Sequence, residues 1–338
     1  MVNKKAKVGI VGFRGYSGAE LVRILSSHPH VETCLLEHDP EKAERSVPLN
    51  NRRLTRLPCS PDTVRSESLD CVFLATPPEV SMELAPTMLE AGARIVDLSG
   101  AFRFGTVETY SRWYKVPHTT PHLLPEAVYG LPEVNRAQII KARLIANPGC
   151  YPTAANLALQ PLMDRGAIDL RAGIVCDAKS GVSGAGRKPS LTTSFCEVAE
   201  NFSVYSVLDH RHVPEVLMIS KIEEAQFSFT AQLLPIERGI LETIYFRTKQ
   251  ISDADELLDI YQRRYQGEHF VRLYKPGELP DLRAVQRTNF CDIGFKLDAA
   301  TGRVVVVSAI DNLVKGAAGQ AIQNMNLMLG FREQEALL

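Results

Sequence analysis

The sequence predicts an α/β protein: a doubly wound parallel sheet, followed by an α+β domain built on a large mixed or antiparallel sheet. Three observations predict it. Short apolar strands alternate with amphipathic helices through the first half. A turn punctuated by glycines, Gly12-Phe13-Arg14-Gly15-Tyr16-Ser17-Gly18, joins the first strand to the first helix. Beyond residue 150 the strand-like runs lengthen and pair around short turns, with fewer helices between them.

Residues 7–12 read as a buried strand. Ser17 and Glu20 have the Ser-x-x-Glu spacing of a capping box, which predicts a helix over 19–26 with Leu21, Val22, Ile24 and Leu25 on its apolar face. Strand, glycine turn and helix together make a cradle for a dinucleotide pyrophosphate. Glycines let the backbone approach the phosphates, and first-turn amides donate to them. The spacing is G-x-x-G-x-x-G, and taken alone it fits a simple tight turn equally well. Residues 32–37, 69–75 and 94–98 read as further strands, with a helix over 80–91 closed by Gly92. In such sheets ligands bind beyond the carboxyl ends of the strands, so the loops after residues 12, 75, 98 and 146 are expected around one crevice. The second strand ends in Leu36-Glu37-His38-Asp39-Pro40. An acid there bonds the ribose hydroxyls of NAD, whereas Lys42 and Arg45 could reach the phosphate of NADP.

In the second half, residues 174–178 read as a strand opening into Lys179-Ser180-Gly181-Val182-Ser183-Gly184-Ala185-Gly186-Arg187-Lys188. That stretch reads as a polar loop, either a seat for a phosphate or carboxylate or a solvated surface. Asp209-His210-Arg211-His212-Val213-Pro214-Glu215 leads into a helix whose first turn suits Pro214. His210 and His212 precede the regular backbone. A histidine near neutral pKa is the natural acid–base partner of a cysteine. His-x-His also has the form of a metal pair, but no third ligand matches, so no metal is expected. Residues 227–234 and 239–248 read as long strands of an open, largely antiparallel sheet. Residues 253–266 read as a helix capped by Ser252, and 291–297 with 303–310 as a hairpin. Asp311 opens a last helix reaching about residue 329, with glycines and alanines that leave one side smooth. The expected division is residues 1–148 for the dinucleotide, 149–311 for catalysis, substrate and assembly of copies, and 312–338 packing back on the first domain.

The 338 residues are enough for two domains. With 45% hydrophobic and 23% charged residues the composition is that of a soluble globular protein. A net charge of −1 argues against a broad nucleic-acid-binding face. No apolar run approaches the roughly 20 residues of a membrane span. The basic start runs straight into a strand, without a signal-peptide core. Seven cysteines (34, 59, 71, 150, 176, 196 and 291) form no Cys-x-x-Cys pair, which suggests a reducing cytoplasm without disulfides or zinc. A homo-oligomer, dimer or tetramer, is expected.

The richest chemistry lies in Ala146-Asn147-Pro148-Gly149-Cys150-Tyr151-Pro152-Thr153. Cys150 falls where an apolar strand gives way to a helix. A thiol at a helix start feels its partly positive field, which favours the nucleophilic thiolate. The bland alternative is a buried cysteine serving as a small apolar residue, which the surrounding prolines and glycine disfavour because they specify a bend.

Several segments together resemble the N-acetyl-gamma-glutamyl-phosphate reductase family of arginine biosynthesis. They are residues 12–18, Val128-Tyr129-Gly130-Leu131-Pro132-Glu133, 146–153, 179–187, 210–215, Asn289-Phe290-Cys291-Asp292-Ile293-Gly294 and 310–326, in the family's order. The family is similar to aspartate-semialdehyde dehydrogenase, whose cysteine segment differs. The resemblance implies a Rossmann-like first domain and a reductase using NADPH, with NAD not excluded. It implies that Cys150 is the nucleophile and places the His210-Arg211-His212 segment at the active site, where proton management suits His210, with His212 as understudy. It places the cofactor on Gly12, Arg14, Gly15, Tyr16, Ser17 and Gly18, with Ser180, Gly181, Ser183 and Gly184 toward the nicotinamide and Asn312 at its carboxamide. Arg103, Asn147, Arg187 and Lys188 are then expected at a small anionic acyl-phosphate substrate. Two features depart from the family: Glu37-His38-Asp39-Pro40 replaces its usual Ser/Thr and Arg, and Thr76-Pro77-Pro78 replaces Leu-Pro-His.

On this reading Cys150 attacks the acyl phosphate, phosphate leaves, and hydride reduces the thioester. An imidazolium beside the thiol would raise its thiolate fraction. Three alternatives stay open: a non-redox cysteine–histidine acyl hydrolase or transferase, a catalytically idle dinucleotide sensor, and a reductase of carrier-bound aminoadipyl phosphate in lysine biosynthesis.

Overall fold

The computed structural model describes residues 5–38 and 54–338. Asp39, Pro40, Lys42 and Arg45 lie outside the described residues. The chain forms two compact units, residues 1–148 with 317–338 and residues 149–316.

The first unit runs β1 (Ala6–Val11), α1 (Tyr16–Leu25), β2 (Val31–Glu37), β3 (Thr55–Pro58), α2 (Pro61–Glu67), β4 (Cys71–Leu74), α3 (Pro78–Glu90), β5 (Arg94–Asp97), α4 (Val107–Tyr114), β6 (Val128–Tyr129), α5 (Pro132–Ile139) and β7 (Leu144–Ala146). Among the described residues its seven strands are all parallel, in the order β3-β2-β1-β4-β5-β7-β6. The order reverses between β1 and β4, so the ends of these strands flank the position where doubly wound sheets bind ligands. The glycine turn lies there. Gly12 has φ of 77°, and a Cβ on it would collide with the carbonyl oxygen of Ala75, just past β4. A Cβ on Gly18 would strike the Gly12 carbonyl oxygen and the Phe13 backbone. Only glycine lets helix and strand close up this tightly.

Helix α1 starts earlier than the sequence predicts, and the capping box does not form. Gly15 is the N-cap, so Ser17 already lies in the first turn. Glu20 instead accepts from the Arg23 guanidinium at 2.7 Å.

The second unit runs α6 (Cys150–Asp164), β8 (Ile174–Gly181), α7 (Phe195–Val198), β9 (Ser203–Tyr205), α8 (Val213–Ser220), β10 (Phe227–Leu234), β11 (Ile240–Arg247), α9 (Ala254–Tyr265), β12 (Val271–Leu273), α10 (Leu282–Val285), β13 (Cys291–Asp298) and β14 (Arg303–Ile310). Its sheet has the order β12-β13-β14-β11-β8-β10-β9. It is mixed: β8 lies between β10 and β11 and pairs with β10 in parallel, because the long excursion from 182 to 226 returns the chain in the same direction. Residues 179–181, expected in a loop, complete β8 and pair with β10. The expected cap of α9 shifts by one residue: Asp253 accepts the Glu256 N–H at 2.8 Å, and Ser252 bonds the Glu256 carboxylate. The last helix likewise starts later than predicted. Residues Val314–Ala318 form a π-helical turn, and α11 (Gly319–Leu329) returns to the first unit, packing on α1, α5 and β5.

Helix α6 is buried along nearly its whole length and lies against β11, β13 and β14. Its Ala154, Ala155 and Ala158 keep that approach close. Beneath it, Glu242 of β11 is fully buried, and among the described residues neither carboxylate oxygen has a hydrogen-bond partner. The Cys176 thiol, a weak donor, is its polar neighbour. Burial pushes the Glu242 pKa well above the usual carboxylate range, so the folded chain holds this acid neutral. The unfolded chain releases that proton near pH 4.5, so stability drains away as pH rises above that value. Glu242→Gln, which has no proton to lose, is therefore expected to gain stability relative to wild type as pH rises from 4.5 toward 7. The gain should vanish toward pH 4 in denaturant melts. An advantage independent of pH would contradict the assignment.

Candidate active site

Cys150 is the first residue of α6. Gly149, extended at φ −66° and ψ 155°, is its N-cap. The glycine is dictated by its neighbours: a Cβ there would stand 2.8 Å from His212 Nε2 and 2.9 Å from Glu215 Oε1. The Gly149 N–H donates to Glu215 Oε2 at 2.9 Å, and Thr153 Oγ1 donates back to the Gly149 carbonyl at 2.9 Å. Pro152 has no N–H, so the N–H groups of this helix start are those of Gly149, Cys150 and Tyr151. On the other side, a Cβ on Gly316 would stand 2.7 Å from Cys150 Cβ. The smooth glycine of the π-helical turn is therefore a close-packing surface for the cysteine. Such turns recur at functional sites.

A cavity of about 590 Å³ opens at Cys150, and Cys150 alone of the seven cysteines lines it. The others differ in environment. Burial pushes the thiols of Cys34, Cys59 and Cys71 up to about 11, 12 and 12, and that of Cys176 well above its ordinary value. Around the cavity stand Tyr151, Ser180, Gly181, Gly184, Tyr205, Asp209, His210, Arg211 and His212.

The two histidines differ. His212 is the N-cap residue of α8, with Nε2 turned to Gly149 and Glu215. His210 is buried in an aromatic box, its ring centroid 5.3 Å from Tyr151, 5.7 Å from Tyr205 and 5.4 Å from Phe229. Burial, helped by the Arg211 charge, pulls its pKa down to about 4. His210 is thus uncharged at neutral pH, unlike the expected imidazolium. Its Nδ1 accepts the His212 N–H at 3.2 Å, so the proton of the neutral ring sits on Nε2. The Tyr151 and Tyr205 hydroxyls bond each other at 2.8 Å, and burial raises the Tyr205 pKa to about 12.

The other expected site residues divide clearly. Ser180 is buried and donates to the Gly181 carbonyl. Asn312 Nδ2 donates to Ser183 Oγ at 3.0 Å, and its Oδ1 accepts the Gly239 N–H at 2.7 Å, which holds Asn312 against the loop after β8. Gly184 stands beside both: a Cβ there would meet Ser180 Oγ at 3.1 Å and Asn312 Nδ2 at 3.7 Å. Arg187 and Lys188 follow, exposed, and do not line the cavity. In the first unit, Arg103 donates to the Asn147 and Leu98 carbonyls, and Asn147 Nδ2 donates to the Ala317 carbonyl while Oδ1 accepts from Asn324. Both tie strand ends together. Arg14 pairs with Glu37, Tyr16 is exposed, and Ser17 lies in the first turn of α1. Sequence reasoning placed the His210-Arg211-His212 segment at the site but gave no role to Glu215 or to the tyrosine pair. Glu215 and Arg211 lie within the histidine segment itself, but nothing in spacing shows that a carboxylate five residues past His210 reaches back to Gly149. Among the described residues, no cluster of histidine, cysteine or acidic side chains could hold a metal ion.

Comparison with known proteins bears on this geometry. Residues 7–142 match the family model for the semialdehyde dehydrogenase NAD binding domain, and residues 150–312 that for the semialdehyde dehydrogenase dimerisation domain. N-acetyl-gamma-glutamyl-phosphate reductase of Desulforudis audaxviator is 49% identical over 98% of both chains. The enzyme of that name from Bacillus subtilis is 45% identical over 98% of both. The chain belongs to the N-acetyl-gamma-glutamyl-phosphate reductase family. As a member, it is an oxidoreductase of the semialdehyde dehydrogenase kind with a Rossmann-like domain for a nicotinamide cofactor. Solved structures share the fold. Aspartate semialdehyde dehydrogenase II of Vibrio cholerae superposes with a TM-score of 0.74 at 19% identity, covering 97% of this chain and 99% of that one. The enzyme of Candida albicans, solved with NADP, gives 0.70 at 18% identity over 96% and 99%.

Proposed function

We propose that this chain reduces N-acetyl-glutamyl 5-phosphate to N-acetyl-glutamate 5-semialdehyde, releasing phosphate, as a step of arginine biosynthesis. The observation that carries the reading is the cavity: a size suited to one small ligand, with Cys150 at a helix start and two dissimilar histidines beside it. In a chain of this family, that combination supports covalent catalysis through sulfur.

Cys150 Sγ attacks the acyl carbon, His212 receives the thiol proton, and phosphate leaves to give a thioester on Cys150. Glu215 holds the Gly149 amide and stands beside the His212 ring, so it orients the base. His210 Nε2–H and the first-turn amides of α6 donate to the carbonyl oxygen as charge gathers there, each worth about 3 kcal/mol. A neutral imidazole donor keeps its proton through this step. A reduced nicotinamide, when bound, supplies the hydride that turns the thioester into a thiohemiacetal. Collapse of that species frees the aldehyde and returns the proton to Cys150. Arg211 is the guanidinium lining the cavity, suited to the substrate carboxylate. The glycine turn on Gly12, Gly15 and Gly18 fits the cofactor, since a Cβ at Gly12 or Gly18 would strike the neighbouring backbone and push the helix start away from the strand end that together form the cradle. The family resemblance makes NADPH the expected reductant.

The chain works as a homo-oligomer. Residues 191–208 expose Leu191, Phe195, Phe202, Val204, Val207 and Leu208 beside the cavity, with Phe195 84% exposed. Apolar surface this dense marks a contact site. Sedimentation at micromolar concentration is expected to give a multiple of 37.4 kDa, and a monomer throughout would contradict it. The seven free cysteines suit the reducing cytoplasm.

The reaction is tested in reverse, with N-acetyl-glutamate 5-semialdehyde, phosphate and oxidised cofactor. Reduced-nicotinamide absorbance should appear, and only with phosphate present. Binding of the dinucleotide without turnover of this aldehyde would contradict the substrate, and turnover of the carrier-bound aminoadipyl counterpart instead would replace it.

A further inference from the structure

The end of β2 carries an arrangement that the family resemblance does not supply. Register pairs Val11 with Leu36, so Gly12 and Glu37 follow side by side at the carboxyl ends of β1 and β2. Arg14, inside the glycine turn, reaches across to Glu37. Its Nη1 donates to Oε1 at 2.6 Å and its Nη2 to Oε2 at 2.6 Å. The pair is partly shielded, with the two side chains 28% and 15% exposed. The guanidinium also lies 4.5 Å over the buried Phe13 ring, which fixes its plane. His38, the next residue, leans instead toward Glu83 at 3.7 Å.

We propose that Arg14 and Glu37 form a two-position selector for the adenosine ribose of the dinucleotide, so that this chain accepts both NADH and NADPH. The proposal rests on the reading that the glycine cradle holds a nicotinamide dinucleotide. An ionised carboxylate offers about four lone-pair sites. Arg14 uses two, so Glu37 can accept from the ribose hydroxyls of NADH while the pair stays closed. A 2′-phosphate sets a second anion against Glu37. That anion, though tetrahedral, offers a guanidinium a pair of oxygens for two parallel hydrogen bonds, as a carboxylate does. Arg14 can then pass from Glu37 to the phosphate and leave the carboxylate to solvent. One arginine thus neutralises whichever anion faces the cradle, and neither cofactor is strongly rejected.

The test is calorimetric titration of NADH and NADPH into the full chain, a binding measurement independent of turnover. The wild type is expected to bind the two with dissociation constants within about tenfold of each other. Glu37→Ser frees Arg14 and removes the ribose acceptor, and should move the ratio at least about tenfold toward NADPH. Arg14→Gln should move it as far toward NADH. Matching thermal melts confirm that the variants are folded. Discrimination beyond about a hundredfold in the wild type, or a ratio unmoved by either substitution, overturns the selector while leaving the reductase reading in place. If the wild type binds neither dinucleotide, the reductase reading falls and the selector falls with it.

Discussion

Cys150→Ala is expected to lower turnover by about 10⁴-fold or more while dinucleotide affinity stays at the wild-type level. The nucleophile is lost outright, and no other thiol can replace it, because none of the remaining cysteines lines the cavity. Burial also keeps Cys71 and Cys176 protonated. The dinucleotide cradle sits in the first unit and Cys150 begins the second, so the substitution leaves the Gly12 turn untouched. Single-turnover rates followed by nicotinamide absorbance, with calorimetry for affinity, separate the two effects. Reduction at wild-type speed in Cys150→Ala would mean that hydride meets the acyl phosphate directly.

Glu215→Ala is expected to lower kcat about 100-fold with KM little changed. Glu215 is fully buried and does not itself line the cavity, so its loss acts through other groups. Its Oε2 accepts the Gly149 N–H that fixes the start of α6, and its Oε1 stands beside His212. Removing the carboxylate strands a buried N–H, costing about 1–3 kcal/mol. It also lets His212 and Cys150 drift by fractions of an ångström, which reaction geometry tolerates poorly. Glu215→Gln separates geometry from charge. Its amide oxygen can still accept from Gly149, so most of the activity returns if alignment is what matters. Equal loss in both variants would assign the role to the negative charge. A raised KM with unchanged kcat would instead place Glu215 against the substrate.

The fold was legible where burial and backbone punctuation agree. Strand β1, the Gly12 turn and the β13–β14 hairpin follow directly from apolar runs bounded by glycines. The capping box at Ser17 was misread because a serine–glutamate spacing fits any of several helix starts, and extended Gly15 chose the earlier one. The parallel pairing of β8 with β10 was invisible, since it depends on a long excursion whose return direction no local pattern records. At the site, Cys150 was legible because prolines and glycines around a lone cysteine specify a bend. Glu215 was not, because its partner is a backbone amide 66 residues away. The protonation of His210 was equally hidden. Its aromatic box comes from Tyr151, Tyr205 and Phe229, which only the tertiary fold assembles.

Covalent catalysis at Cys150 is tested most directly by mass spectrometry of the intact protein, quenched in acid after mixing with N-acetyl-glutamyl 5-phosphate in the absence of reduced cofactor. One acyl group should be found per chain, mapped to the peptide containing Cys150 and lost on adding the reduced nicotinamide. A protein that gains no mass under these conditions, yet turns over the same substrate once cofactor is supplied, would show that no thioester forms.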